Sequence, residues 1–155
     1  PVSAKNIRAL TNPIDGLWII SNGAVTVSSL TANENGNRGL RVEADGGTGK
    51  VTLSKIETVW NGLEGILVYA NNDISINKAE VNMNGLPAPI GFSVNGAHLE
   101  AIGHDVIIKN GNFRGNHSYG IYVNTGNPTG SLLLINTQYY GNYHFAVLDL
   151  DMYWD

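Results

Sequence analysis

The chain has 155 residues, a net charge of −4 and only 14% charged side chains. That is one domain's worth of sequence, with no basic stripe to hold nucleic acid or an anionic membrane surface. It contains no cysteine, which removes disulfides, thiolate metal sites and cysteine nucleophiles together. No apolar stretch approaches the ~20 residues needed to cross a bilayer, and no signal sequence opens the chain.

The polar part of the composition is dominated by 20 Asn and 19 Gly. Both tolerate left-handed and tight-turn backbone, so a chain rich in both turns often. In chain order the turns delimit six similar units, starting at Val2, Val25, Val51, Ile74, Val106 and Leu132. Each start and the residue two further on (Ala4, Val27, Leu53, Ile76, Ile108, Leu134) predict a first short strand. Positions five and seven, from Ile7 and Ala9 to Thr137 and Tyr139, predict a second. Ten residues after every start stands an Asn: Asn12, Asn35, Asn61, Asn84, Asn116 and Asn142. Fourteen after come Gly16, Gly39, Gly65, Gly120 and, in the last unit, Ala146. The third-strand pairs Leu17/Ile19, Leu40/Val42, Ile66/Val68 and Ile121/Val123 follow directly. In the fourth unit a three-residue insertion within "LPAPI" moves the Gly to Gly91 and the strand to Phe92/Val94.

Unit lengths of 23, 26, 23, 32 and 26 residues vary mostly after the third strand. No apolar spacing of three to four residues persists long enough for a helix. The expectation is therefore an all-β solenoid of about six stacked coils with three sheets. No coil can bury its apolar face without its neighbours. Equivalent residues of stacked coils lie about 4.8 Å apart. A turn Asn can then bond its amide to the Asn above and below, forming an internal ladder that satisfies polar groups inside the bend. The Gly four residues on supplies either a special backbone conformation or a close approach.

With its Asn column and three-strand coils, the chain resembles the right-handed parallel β-helix proteins of the pectate-lyase-like superfamily, over essentially residues 1–155. The resemblance implies a single β-helix domain, but not one activity, because such helices serve lyases, hydrolases, adhesins and surface repeat proteins alike. Its polysaccharide-cleaving members imply a carboxylate cluster, or Asp-bound calcium with a basic residue, on an outer sheet face. Residues immediately before the unit starts put Asp73 and Asp105 on adjacent coils, with Lys50 one coil below. Such a spacing is near the ~5–5.5 Å of a retaining glycosidase pair. Capping of strand starts explains the same residues without chemistry, and no third acid accompanies them. The segment "NGAHLEAIGHD" reads as a loop holding His98, Glu100, His104 and Asp105, which supply acid–base or metal-ligand chemistry if they converge. A plain fold-back over the coil edge is the simpler reading. No metal or cofactor is expected; calcium stays open, although no set of residues in the sequence supports it.

Lys55 under Lys78 and Glu57 under Glu80 read as a solvated lattice of diagonal Lys–Glu pairs. The outward third-strand positions read Trp18, Arg41, Leu67, Ser93, Tyr122 and Leu148, and those of the first strand end in Ile107 and Leu133. Large apolar side chains where solvent is expected mark a contact surface. The late coils add Tyr139, Tyr140, Tyr143, Tyr153 and Trp154. The favoured reading is a non-catalytic structural module, spacer, adhesin or filament unit, outside the cell or on its surface. It is expected to be a segment or subunit of a longer solenoid or assembly, because its ends read as uncapped. Its partners are then further coils or copies of itself. A polysaccharide lyase or hydrolase using Asp73, Asp105, Lys50, His98 or His104 is the alternative, as is glycan binding by Trp18, Tyr122 and the late tyrosines.

Overall fold

The computed structural model describes residues 1–85, 94–126, 129–144 and 147–149, the last three as backbone. Fourteen strands follow in order: β1 (Val2–Leu10), β2 (Leu17–Ile20), β3 (Val25–Asn33), β4 (Leu40–Ala44), β5 (Val51–Val59), β6 (Ile66–Ala70) and β7 (Ile74–Asn82). Then come β8 (Ala97–Glu100), β9 (Val106–Lys109), β10 (Asn112–Arg114), β11 (Ile121–Asn124), β12 (Leu132–Ile135), β13 (Gln138–Tyr140) and β14 (Val147–Asp149). All pairings are parallel and join each coil to the next. The protein is an all-β parallel solenoid. Its six rungs are separated by five steps, so it makes roughly five turns rather than about six.

The register follows the sequence spacing. Val2, Val25, Val51, Ile74, Val106 and Leu132 are successive partners across the large sheet. Leu17, Leu40, Ile66, Ala97, Ile121 and Val147 are successive partners across the six-stranded sheet. Alternation then sends Val25, Val27, Leu30, Leu40, Val42 and their equivalents into one continuous core, in which Phe113 is the largest fully buried side chain among the described residues. A slip of one residue would expose the entire set, so the register is strongly specified.

In the last two coils the expected first and second strands are separate, as β9 and β10 and as β12 and β13, whereas in the first four no turn separates them. In the first four coils each pair forms one nine-residue strand bent at a single left-handed residue: Asn6, Ser29, Lys55 or Lys78, with φ from 54° to 60°. Asn110 and Asn136 occupy the same column in the last two coils. A second column of left-handed residues, Thr11, Glu34, Trp60, Met83, Gly115 and Gly141, stands immediately before the ladder Asn. One left-handed residue turns the chain without breaking the ladder of backbone hydrogen bonds for long, which keeps each coil compact. Such a conformation costs a non-Gly residue roughly 1–2 kcal/mol, and Asn least. Lys55→Asn installs at the third rung the residue already used at the first, fifth and sixth. It should raise the thermal midpoint by a few degrees, read by circular dichroism.

The fourth coil corrects the sequence reading. Its third strand is Ala97–Glu100, not Phe92/Val94, and Gly96 rather than Gly91 stands in the glycine column. Residues 86–93, which include Gly91, Phe92 and Ser93, lie outside the described residues. The segment "AHLE" alternates buried Ala97 and Leu99 with half-exposed His98 and Glu100, as a sheet strand does. The expected loop "NGAHLEAIGHD" therefore contains a strand, and only Ala101–Asp105 turns.

Candidate functional site

The ladder sets the rigidity on which any site must rest. Each Asn donates its Nδ2 to the Oδ1 of the next: Asn12 to Asn35 at 2.8 Å, Asn35 to Asn61 at 2.9 Å and Asn61 to Asn84 at 2.9 Å. Asn84 to Asn116 at 3.2 Å and Asn116 to Asn142 at 3.0 Å complete the column. The same Oδ1 atoms accept the backbone N–H of the preceding ladder residue, as Asn61 Oδ1 does from Asn35 at 3.0 Å. The second amide proton goes to a carbonyl one coil back, as from Asn61 Nδ2 to Ala32 O at 2.9 Å. Asn35, Asn61, Asn84 and Asn116 are buried with these needs met. The column is thus structural, and buried polar groups satisfied this fully specify a single register.

Lys50, Asp73 and Asp105 do share one column. Lys50 Nζ lies 2.6 Å from Asp73 Oδ2, and Asp73 Oδ1 accepts the Asp105 backbone N–H at 3.3 Å. Asp105 Oδ1 in turn accepts from Ser131 N at 3.0 Å and Ser131 Oγ at 2.8 Å. Each carboxylate therefore caps the strand start of the coil above. The Lys50 hydrogen bond holds the Asp73 carboxyl below its ordinary range, against a smaller upward push from burial. Lys50 is correspondingly raised by Asp73. His104 approaches this column, with Nδ1 3.8 Å from Asp73 Oδ1.

The four groups expected in one loop are split by β8. His104 and Asp105 stand at the strand starts of the large sheet. His98 and Glu100 stand on the outer face of the six-stranded sheet, joined Nε2 to Oε1 at 2.9 Å. Among the described residues no three His, Asp or Glu side chains gather as a metal site would require.

His98 belongs instead to an aromatic band. Its ring lies 5.9 Å from Tyr69 and 4.5 Å from Tyr122. Tyr122 continues to Tyr119 at 6.3 Å, and Tyr119 to His144 at 5.8 Å. Tyr143 lies 5.0 Å from His144 and stacks parallel on His117 at 5.9 Å. Register explains the band's centre: Leu67, His98 and Tyr122 are vertical neighbours, and Tyr69 pairs with Glu100. Burial raises the phenols of Tyr69 and Tyr122, and the Glu100 charge adds to it. At the other end of the face, the Arg41 guanidinium sits 4.6 Å over the ring of Trp18, which is 52% exposed. Arg41 also pairs with Glu43 and lies 4.0 Å from Asp15.

Of the expected contact residues, Leu67 faces outward yet is only 3% exposed, roofed between the rungs of Arg41 and His98. Leu133 is 47% exposed, with Ile107 half-buried beside it in register. Leu148 pairs with Tyr122 through its backbone, and its side chain lies outside the described residues, as do Tyr153 and Trp154. The expected Lys–Glu lattice is also different. Glu57 accepts from Asn33 Nδ2 at 2.6 Å, while Glu80 accepts from Asn112 at 3.1 Å and pairs with Arg114 at 3.5 Å. Lys55 and Lys78 instead flank a polar groove of about 460 Å³ along the first corner. Sequence reasoning missed the aromatic band because the fourth coil's insertion hid which residue stacks between Leu67 and Tyr122.

The architecture defines the class: a parallel β-solenoid with a buried asparagine ladder. Compared with known proteins, the chain matches no family model, no curated protein and no solved structure.

Proposed function

We propose that the chain is a non-catalytic β-solenoid module of an extracellular or cell-surface protein, acting as a rigid structural element that associates laterally with further coils or copies. The observation that carries this reading is how Asp73 and Asp105 are used. Their oxygens hold backbone N–H groups of the next coil, and Asp73 is ion-paired and held below the usual carboxylate range. A general acid of a glycosidase needs the opposite shift, upward toward neutrality. The coil plan and the ladder also support kinship with the right-handed helices of the pectate-lyase-like superfamily, in their structural rather than lytic role.

The lateral contact is placed on the first-strand face of the late coils. There the outward row changes from Ser3, Thr26, Thr52 and Ser75 to Ile107 and Leu133, with exposed Ile135 alongside. Exposing apolar rows of this kind to water is unfavourable, and burying them stabilises by ~25 cal/mol per Å². Sedimentation velocity and negative-stain microscopy test the proposal. Concentration-dependent dimers, fibres or laterally joined particles are expected, dispersed by the double substitution Leu133→Lys and Ile135→Lys. Monodisperse monomers for the unaltered chain at high micromolar concentration overturn it.

A further inference from the structure

We infer that the corner carrying Trp60, Met83, Gly115 and Gly141 is a two-fold interface, on which two copies of the chain pair antiparallel with each Trp60 seated over the other copy's Gly141. This corner is separate from the Ile107–Leu133 row, and the pairing does not rest on that contact.

Backbone strain marks the corner. In the column before the ladder Asn, Trp60 and Met83 hold left-handed backbone at φ 59° and 53°. Bulky side chains avoid this region, and the fifth and sixth coils fill the same column with Gly115 and Gly141. Both side chains are nonetheless exposed, Trp60 at 51% and Met83 at 37%, and neither belongs to the core. A conformational cost carried by two exposed apolar residues, with no return in core packing, points to a contact made outside the chain.

The same column supplies the matching shape. Gly115 and Gly141 leave notches where the lower coils carry knobs. Among the described residues, a Cβ added at Gly141 would find its nearest neighbour 3.9 Å away. Exposed Tyr140 and Tyr143 bracket that notch, and Arg114 Nη1 donates to the Tyr140 hydroxyl at 3.3 Å. A two-fold axis across the corner, between the fourth and fifth coils, exchanges coil three with six and coil four with five. Trp60 then meets Gly141 and Met83 meets Gly115, in both directions, as an isologous contact requires. Trp, Tyr and Met are among the side chains enriched in interfaces, and unbranched Met83 adapts where the copies meet near the axis.

Neighbouring columns decide the orientation. A parallel pair would set Met83 against the column of Gly62, Gly85, His117 and Tyr143. Gly85 is already covered there, because a Cβ on it would lie 2.7 Å from Val94 Cβ. A parallel pair would also bury the carboxylate of Glu34, one coil below Trp60 in the knob column. The antiparallel pair leaves Glu34 and Thr11 in water. The ridge is narrow, so roughly 1,000 Å² of total burial is available, which is the size of a weak, micromolar pair.

Sedimentation velocity of the whole chain carrying Leu133→Lys and Ile135→Lys, which disperse assemblies built on the first-strand row, tests the inference. A micromolar monomer–dimer equilibrium is expected to remain. Adding Trp60→Asn should weaken it about a hundredfold, a decade for each of the two indoles. Gly141→Lys, three coils away, should weaken it as much. Thr11→Lys, in the same column but outside the contact, should leave it unchanged. In dilute monomer Trp60→Asn should also raise the thermal midpoint, because Asn suits left-handed backbone better than Trp. Circular dichroism confirms that each variant is folded. A dimer that survives Trp60→Asn or Gly141→Lys, a dimer lost on Thr11→Lys, or a Trp60→Asn monomer that melts below its parent overturns the inference. Only monomers at high micromolar concentration in the doubly substituted chain, while the unaltered chain still associates, overturns this pairing and leaves the first-strand contact standing.

Discussion

Asn61→Ala is expected to destabilise the protein by about 3–5 kcal/mol, the largest loss of any single exchange along the ladder. Asn61 sits fully buried at the middle of the column. Removing its amide strips the Asn35 backbone N–H and the Asn35 Nδ2 of their shared acceptor, at 3.0 and 2.9 Å. It also strips Ala32 O and Asn84 Oδ1 of a donor, both at 2.9 Å. A methyl group leaves no space-filling polar substitute, and each orphaned buried group costs about 1–3 kcal/mol. Asn61→Asp is expected to be no better at neutral pH. One of its oxygens still accepts from Asn35, but the other points at Asn84 Oδ1 and Ala32 O, placing a buried charge against two acceptors. Urea titration followed by circular dichroism reads the loss, and hydrogen exchange reads where it falls. Solenoid coils contact only their neighbours, so exposure should concentrate in the second, third and fourth coils. An Asn61→Ala variant within about 1 kcal/mol of the parent would show that the column is decorative.

Gly65→Ala is the second large effect, at about 3 kcal/mol or more, and its cause is space rather than backbone conformation. A Cβ there would lie 2.6 Å from Asn84 Nδ2, 2.6 Å from Thr58 Oγ1 and 2.7 Å from Val81 Cγ1. None of these atoms can retreat: Asn84 is fixed in the ladder, and Thr58 and Val81 are fully buried. Gly141 supplies the contrast. Its φ is +66°, and among the described residues an added Cβ would meet nothing closer than 3.9 Å. Gly141→Ala should therefore cost only the left-handed penalty of roughly 1 kcal/mol, and Gly141→Asn less still. A Gly65→Ala midpoint shift no greater than that of Gly141→Ala would remove close approach as the reason for the glycine column.

The contrast answers a question that the repeat alone left open, namely why a Gly follows each ladder Asn by four residues. Both a special conformation and a close approach were open from the spacing. Gly16, Gly39, Gly65 and Gly96 have ordinary backbone angles and stand against the next coil's ladder amide, so approach is the cause. The conformational demand falls elsewhere, on two columns of left-handed residues filled by Lys, Glu, Trp and Met as well as Asn and Gly. That demand had no sequence signature, because residues as unlike as Lys78 and Asn110 occupy the same corner.

The site was less legible than the fold for a related reason. Lys50, Asp73 and Asp105 were placed correctly because they immediately precede unit starts, where the register is fixed by buried Val51, Ile74 and Val106. The sequence reads His98 as part of a loop because the fourth unit contains extra residues between Asn84 and its glycine. Counting along the chain cannot locate an insertion, whereas pairing can: Leu67, His98 and Tyr122 are neighbours only through the sheet.

By itself the sequence determined the period, the inward and outward faces of every strand but the third of the fourth coil, and the six-membered Asn column, because buried apolar alternation and amide pairing allow only one stacking of such units. The tertiary structure alone decided which glycine and strand close the fourth coil, where the chain bends on single left-handed residues, and which rings meet on the outer face. Those outcomes depend on distances between residues 23 to 32 positions apart. Local propensity carries no information about contacts made only when one coil is laid on the next.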